Sequence, residues 1–265
     1  MKRLAVIAAI SLTLGFAVSG AARAATVLVT GSNRGIGLEF VRQYAAQGWT
    51  VIATTRRPGE AKELTELAAK NKKITVEKLD LLDVDSIKAL AAKYKGKPID
   101  LLLNNAGLLG DAPGQTLGSF DKKSFDQVFG TNVFGTLSVT EAFKDNVIAS
   151  PTKKIVSLTS IAGSVTVAGG AAKNPYWYRA SKAAMHMGMR SVAADLKGQG
   201  VIVGIIGPGS VETEMYAQYG TDYGYKDPNS ITTAQSVGMM MKLIDGLDQT
   251  SNAKLINSDG KTFPW

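Results

Sequence analysis

The chain has 265 residues, a formal net charge of +8, one histidine and no cysteine, which excludes disulfides, thiolate metal sites and a cysteine nucleophile. His186 would have to carry any zinc site or Ser-His-Asp triad alone, and no GxSxG occurs, so no metal site is expected. The basic excess is neither gathered into a stripe nor interleaved with aromatics, which argues against nucleic-acid binding; Lys2, Arg3 and Arg23 already precede residue 25.

Residues 1–24 begin with Lys2-Arg3, continue as the apolar run LAVIAAISLTLGFAV (4–18) and close on Ala22-Arg23-Ala24. A basic start, an apolar centre and a small-x-small end are the features of a Sec-type signal peptide. The apolar run is shorter than the roughly 20 residues of an ordinary membrane span. The sequence therefore predicts that 1–24 is removed and that 25–265 is exported, to the periplasm or beyond, with no stable membrane anchor. The alternative is a cytoplasmic protein held by an uncleaved N-terminal segment.

From residue 26 onward, apolar β-rich runs alternate with helical patterns. TVLVT (26–30) precedes a helix near 35–47, and TVIATT (50–55) one near 59–70. ITVEKLD (74–80) precedes a helix near 84–94, and IDLLLNNAG (99–107) a long helical stretch near 121–146. KIVSLTS (154–160), a helix near 178–197, VIVGIIGPG (201–209), a helix near 233–247 and a strand around 254–256 follow. Runs of Val, Ile and Leu without alternation suit strands buried on both faces. The expected fold is α/β: a single-domain, Rossmann-type doubly wound parallel sheet of about seven strands with helices on both faces. The Tyr- and Gly-rich segment 209–232 reads as irregular and, following a strand's carboxyl end, as a ligand-side lid.

TGSNRGIG follows the first strand and opens the first helix. In such a turn Gly31 permits the tight bend, Gly35 lets main chain approach a pyrophosphate, and Gly37 lets helix and strand pack closely. Gly31, Ser32, Asn33, Arg34, Gly35, Ile36 and Gly37 together are the candidate anion cradle at a helix N-terminus. The second strand ends in TTRRPG, with Arg56 and Arg57 where an acid would select NAD. Arginine there, with Arg34 in the turn, points to the 2′-phosphate of NADP; the bland reading is two ordinary surface arginines.

YWYRASK offers Tyr176 and Tyr178, of which only Tyr178 has a lysine, Lys182, four residues on. That spacing places both on one helix face. An adjacent ammonium favours a phenolate, so the pair predicts a lowered tyrosine pKa and an acid–base role. His186, eight residues after Tyr178, reads as a packed rather than catalytic histidine, and Met185, Met187 and Met189 as core or interface filler.

Five motifs then occur in order: Thr30-Gly31-xxx-Gly35-x-Gly37, NNAG at 104–107, Asn132 in NVFG, Ser160 before IAG, and Tyr178-xxx-Lys182, with PGSVET at 208–213 following. With them the sequence resembles the short-chain dehydrogenase/reductase family over residues 26–265, and TGSNRGIGLEFVRQ, YRASK and DGKTFPW are similar to its C-factor-like and sniffer-like carbonyl reductases. The resemblance implies an NADP(H)-dependent oxidoreductase acting on a small carbonyl compound or secondary alcohol. It implies that Tyr178 donates the proton, Ser160 polarises the carbonyl, Lys182 bonds the nicotinamide ribose and depresses the Tyr178 pKa, and Asn132 holds a water. Asp80 and Leu81 would flank the adenine, Asn105 with Ala106 and Gly107 the ribose side, and Val211 and Thr213 the carboxamide end. The Ser160–Tyr178 separation exceeds the family's usual one, so TVAGGAAKNP (166–175) is expected as a loop over the site. The resemblance leaves a homodimer, a homotetramer and a monomer open, since all three occur in the family. A signalling or surface protein that binds the nucleotide without turnover is the alternative.

Overall fold

In this computed structural model, residues 23–167 and 174–265 are described. Residues 1–22 of the expected signal and 168–173 of the expected insertion lie outside the described residues. Seven strands, β1 (Thr26–Val29), β2 (Thr50–Thr55), β3 (Ile74–Lys78), β4 (Leu101–Asn104), β5 (Lys154–Leu158), β6 (Ile202–Gly207) and β7 (Leu255–Asn257), form one sheet in the order β3-β2-β1-β4-β5-β6-β7. Every neighbouring pair is parallel; Leu28, for example, faces Ile52 on one side and Leu102 on the other.

Three helices cover each face, which is why the central strands carry apolar side chains on both faces. Val27, Val29, Leu101 and Leu103 pack against α1 (Gly35–Ala46), α2 (Lys62–Lys70) and α8 (Thr233–Gly246) through Phe40, Val41, Leu64 and Met240. Leu28, Leu102, Ile155 and Val203 pack against α3 (Val84–Lys93), α5 (Thr136–Ile148) and α6 (Tyr176–Leu196) through Ile87, Phe143, Val147 and Met189. Each such side chain contributes roughly 1.5–3 kcal/mol on burial. The expected fold class is the one observed. Helix starts carry local signals: Asp83 accepts from Asp85 N and Ser86 N at 3.0 and 3.1 Å, and Thr232 with Gln235 forms a capping box on α8.

Two stretches depart from the sequence reading. The long helix expected near 121–146 is α4 (Lys122–Phe129), a π-helical turn over Gly130–Gly135, then α5. Segment 209–232 is not irregular throughout: it contains α7 (Glu214–Tyr223), capped by Thr213 Oγ1 on Tyr216 N at 3.1 Å and ended by Gly224 at φ +69°. Tyr216, Tyr219 and Tyr223 stand at helical spacing, a signal the sequence carried.

The chain leaves β1 toward one edge and β4 toward the other. Their carboxyl ends therefore diverge into a crevice, where ligands bind in such sheets. Just before β1, Arg23 pairs with the buried Asp100 carboxylate at 2.7 Å, and Thr26 N donates to the same oxygen at 2.7 Å.

Candidate active site

The crevice begins at the glycine turn. Gly31 and Gly35 have φ of +69° and +56°, the left-handed region that favours glycine. A Cβ on Gly37 would lie 2.2 Å from Gly31 O and 2.4 Å from Asn105 Nδ2, so the helix reaches the turn only because Gly37 has none. Thr30 Oγ1 accepts from the main-chain N–H of Asn105 and Ala106, each at 3.0 Å, and Asn105 Nδ2 donates to Thr30 O and Gly31 O. These bonds lock the end of β4 to the turn after β1. Ser32 is buried with its hydroxyl donating to Val29 O at 2.8 Å, so it serves the turn through its main chain. Asn33 is exposed, and Ile36 packs on the first core.

The N-cap of α1, Arg34, makes no side-chain cap, leaving first-turn N–H groups free for an anion beside the open face of Gly35. The cradle fits a pyrophosphate. Ser32 N donates to Thr54 O at 2.8 Å, which sets the end of β2, and hence Arg56, next to the turn. Arg56 is exposed and has no ion pair among the described residues. Arg57 is held by Glu60 at 3.0 Å, and Arg34 pairs with Glu214 at the start of α7. Asp80 is turned to its own loop, accepting from Leu82 N at 3.0 Å, and Leu81 is buried beside it. At the other end, Val211 is buried and bridged to Ile231, while Thr213 Cγ2 lies over the turn, 3.6 Å from where a Cβ on Gly35 would be.

The four expected catalytic side chains come together from three elements. Ser160, past the end of β5, accepts from Ala162 N at 3.2 Å, and its side chain acts on Tyr178 to lower the phenol pKa. Tyr178 is buried on the first turn of α6, whereas Tyr176 is exposed and packs on Phe120. Lys182 Nζ donates to Leu158 O at 3.1 Å and stands 5.7 Å from the Tyr178 ring centroid. Asn132, in the π turn, is buried rather than a surface polar group. Its Oδ1 accepts from Leu108 N at 2.7 Å, and its Nδ2 donates to Leu108 O and Ser181 Oγ, each at 2.9 Å. Gly107 lies between Asn132 and Lys182: a Cβ there would be 3.6 Å from Asn132 Oδ1 and 3.5 Å from Lys182 Nζ.

The electrostatics correct one expectation. Lys182 was expected to depress the Tyr178 pKa, yet burial pushes the phenol up to about 12, with the Ser160 hydrogen bond opposing and Tyr219 adding to the rise. The ammonium is itself lowered to about 8 by burial. Lys182 Nζ is turned to Leu158 O, and desolvation of the phenol prevails. Tyr178 is accordingly a protonated donor through the neutral range, and the constellation can protonate an oxygen that Ser160 also hydrogen-bonds.

His186 packs as expected. It is buried, shares a hydrogen bond with Thr159, and meets the Trp265 ring edge-on at 5.8 Å. Burial and then the nearby Lys182 lower its pKa to about 4, against 6.5 ordinarily. The unfolded chain therefore binds a proton that the fold refuses as pH falls from 6.5 to 4, and stability is lost across that window, by roughly 2–3 kcal/mol. In His186→Gln the fall in Tm from pH 6.5 to 4.5 is expected to be shallower than in the wild type. Parallel Tm curves would place the acid sensitivity elsewhere.

Two tyrosines of the Tyr-rich segment, with Leu109, Ala112 and Ala162, which the sequence did not single out, complete the wall. Leu109, Tyr178 and Tyr223 form a small cluster with Ala112, Ala162 and Tyr219, and the Tyr219 ring lies 6.5 Å from that of Tyr178. Helix α7 is thus the lid, joined by Gln218 Nε2 donating to Gly110 O at 3.1 Å. Met185 and Met189 are core; Met187 is exposed.

A profile of the short chain dehydrogenase family matches residues 25–224. An uncharacterized oxidoreductase of Schizosaccharomyces pombe is 31% identical over 250 residues, covering 90% of this chain and 96% of that one. The C-signal of Myxococcus xanthus is 32% identical over 181 residues, 68% of this chain and 100% of that one. Among solved structures, the NADPH-bound carbonyl reductase from chicken fatty liver superposes with a TM-score of 0.83 at 32% identity, covering 92% of this chain and all of that one.

Proposed function

The chain belongs to the short-chain dehydrogenase family, and from that premise we propose that it is an NADP(H)-dependent carbonyl reductase acting on a small ketone, aldehyde or quinone. The observation that carries this is the convergence of Asn132, Ser160, Tyr178 and Lys182 on one buried point beside a fitted anion cradle. Similarity to a carbonyl reductase holding NADPH supports the cofactor.

The cofactor would be held by the Gly31–Gly37 turn, Arg34, Arg56, Asp80, Leu81, Asn105, Ala106, Gly107, Val211 and Thr213, with Tyr178 and Lys182 at the reacting end; when bound it supplies a hydride. Ser160 Oγ and Tyr178 Oη take hold of the carbonyl oxygen, and Tyr178 gives it the proton that completes the alcohol. Lys182 offers a charged donor beside the phenol below about pH 8. Asn132 braces Leu108 and Ser181 around that donor. Leu109, Tyr219 and Tyr223 exclude water.

Purified protein mixed with NADPH and a panel of ketones, aldehydes and quinones should consume NADPH with matching alcohol formation. No turnover across the panel, with NADPH still bound, would favour the second reading, a nucleotide-binding signalling or surface protein, which draws on the similarity to the C-signal. Cofactor choice has its own test. Arg56→Asp exchanges a phosphate partner for a ribose-diol partner and should lower the NADPH-to-NADH ratio of kcat/KM by roughly 10- to 100-fold, the worth of one charge-assisted bond. An unchanged ratio would remove Arg56 from the site.

Residues 1–24 are proposed as an export signal cut after Ala24. That cut removes Arg23 from Asp100, which keeps Thr26 N at 2.7 Å and Thr152 Oγ1 at 3.3 Å, and it leaves a new ammonium one residue before Thr26. N-terminal sequencing of protein from fractionated cells decides the point; an intact 1–24 segment on protein shielded from external protease would overturn it.

A further inference from the structure

Gln115 is a fully enclosed polar side chain near the site, with no exposed surface, and no chemistry described so far uses it. It ends the short 3-10 turn Pro113–Gln115 in the loop after β4. Its Oε1 accepts from Tyr178 N at 3.0 Å, while Nε2 donates to Leu109 O at 2.8 Å and to Asp111 O at 3.3 Å. All three partners are main chain. Tyr178 is the third residue of α6, so its N–H has no acceptor within the helix, and Pro175 provides no side-chain cap. Gln115 supplies from a distant loop what a serine or aspartate cap supplies locally.

The surroundings are fitted to this amide. Gly110 has φ +82°, and a Cβ there would stand 2.9 Å from Gln115 Nε2 and 2.7 Å from Val128 Cγ2. Trp177 Nε1 donates to Gly114 O at 2.7 Å, pinning the same turn to the same end of α6. One side chain therefore fixes both the turn that carries Tyr178 and the 109–111 loop whose Leu109 packs in the Tyr178 cluster.

We propose that Gln115 is a positioning residue for the reaction, holding the first turn of α6 so that the Tyr178 hydroxyl stays in register with Ser160. The inference rests on the proposed role of Tyr178 as proton donor. Apolar neighbours cannot replace the amide, because it satisfies one donor and two acceptors at once. A shift of about 1 Å at a reacting group costs on the order of 100-fold in rate.

Two variants of the full-length protein test this. Gln115→Met keeps the volume and removes all three bonds; its kcat should fall roughly 10- to 100-fold while NADPH binding, followed by fluorescence titration, stays within about twofold of wild type. Gln115→Glu separates positioning from packing. As a carboxylic acid it can accept from Tyr178 N and donate to Leu109 O; as a carboxylate it sets like oxygens against Leu109 O and Asp111 O. Its kcat should approach wild type at low pH and fall as pH rises through the neutral range, where the wild-type profile stays level. The proposal is overturned by a folded Gln115→Met with wild-type kcat, or by one whose kcat and NADPH affinity fall together. If Gln115→Met does not fold, a Gln115→Glu profile superimposable on that of the wild type overturns it. Tyr178→Phe separates the two claims: full activity in that variant sinks the proton-donor reading, whereas an inactive Tyr178→Phe beside an unaffected Gln115→Met sinks the positioning role alone.

Discussion

Tyr178→Phe is expected to lower kcat for carbonyl reduction by roughly 10²- to 10⁴-fold, the range for losing a positioned general acid, with NADPH affinity nearly unchanged. The ring contacts with Leu109 and Tyr223 survive the substitution, so only the hydroxyl is removed. Tyr176→Phe, at an exposed ring against Phe120, should be mild. The pH profile sharpens the assignment. With the phenol near 12 and Lys182 near 8, wild-type reduction should be level from pH 6 up to Lys182 deprotonation and decline beyond it. Stopped-flow and steady-state rates across that range give both results. A reversed outcome for the two tyrosines would show that the reacting oxygen sits elsewhere.

The second large effect is expected from Gly37→Ala. The added methyl would fall 2.2 Å from a main-chain oxygen and 2.4 Å from Asn105 Nδ2, neither of them the end of a free side chain. Either α1 retreats from the turn or the Asn105 bonds to Thr30 O and Gly31 O break, and both spoil the cradle. Destabilisation of about 1–3 kcal/mol is typical of such overpacking, and nucleotide affinity should fall far more steeply than Tm. Gly59→Ala, where a Cβ meets nothing within 4 Å, is the control. Thermal unfolding and NADPH titration of the two variants measure it; unchanged NADPH affinity in Gly37→Ala would disconnect the glycine turn from nucleotide binding.

The sheet was legible because burial on both faces writes uninterrupted β-branched runs into the sequence, and the strands that followed agree with it to within a few residues. The glycine turn and the Tyr178–Lys182 pair were legible because their chemistry demands fixed spacing. Three features were not. The direction of Lys182 Nζ depends on Leu158 O, which a helix-face argument cannot place. The burial of Asn132 in the π turn depends on partners at Leu108, 24 residues back, which local spacing does not reveal. Gln115 looks like one polar residue in a loop, and its value comes only from the free N–H of a helix that begins sixty residues later. Helix α7 was missed for another reason: tyrosines at 216, 219 and 223 were weighed by composition, when their spacing already described one face of a helix.

Helix α7 touches both halves of the crevice. Its first residue, Glu214, reaches Arg34 on the nucleotide side, while Gln218 and Tyr223 rest on Gly110 and Leu109 on the carbonyl side. The two compartments consequently have one door. A rigid helix cannot uncover the reactant pocket while its other end stays bolted over the glycine turn, unless the exposed ion pair, weak by nature, yields first. Among the described residues, the one ion pair that joins α7 to the glycine turn is thus also its most exposed contact.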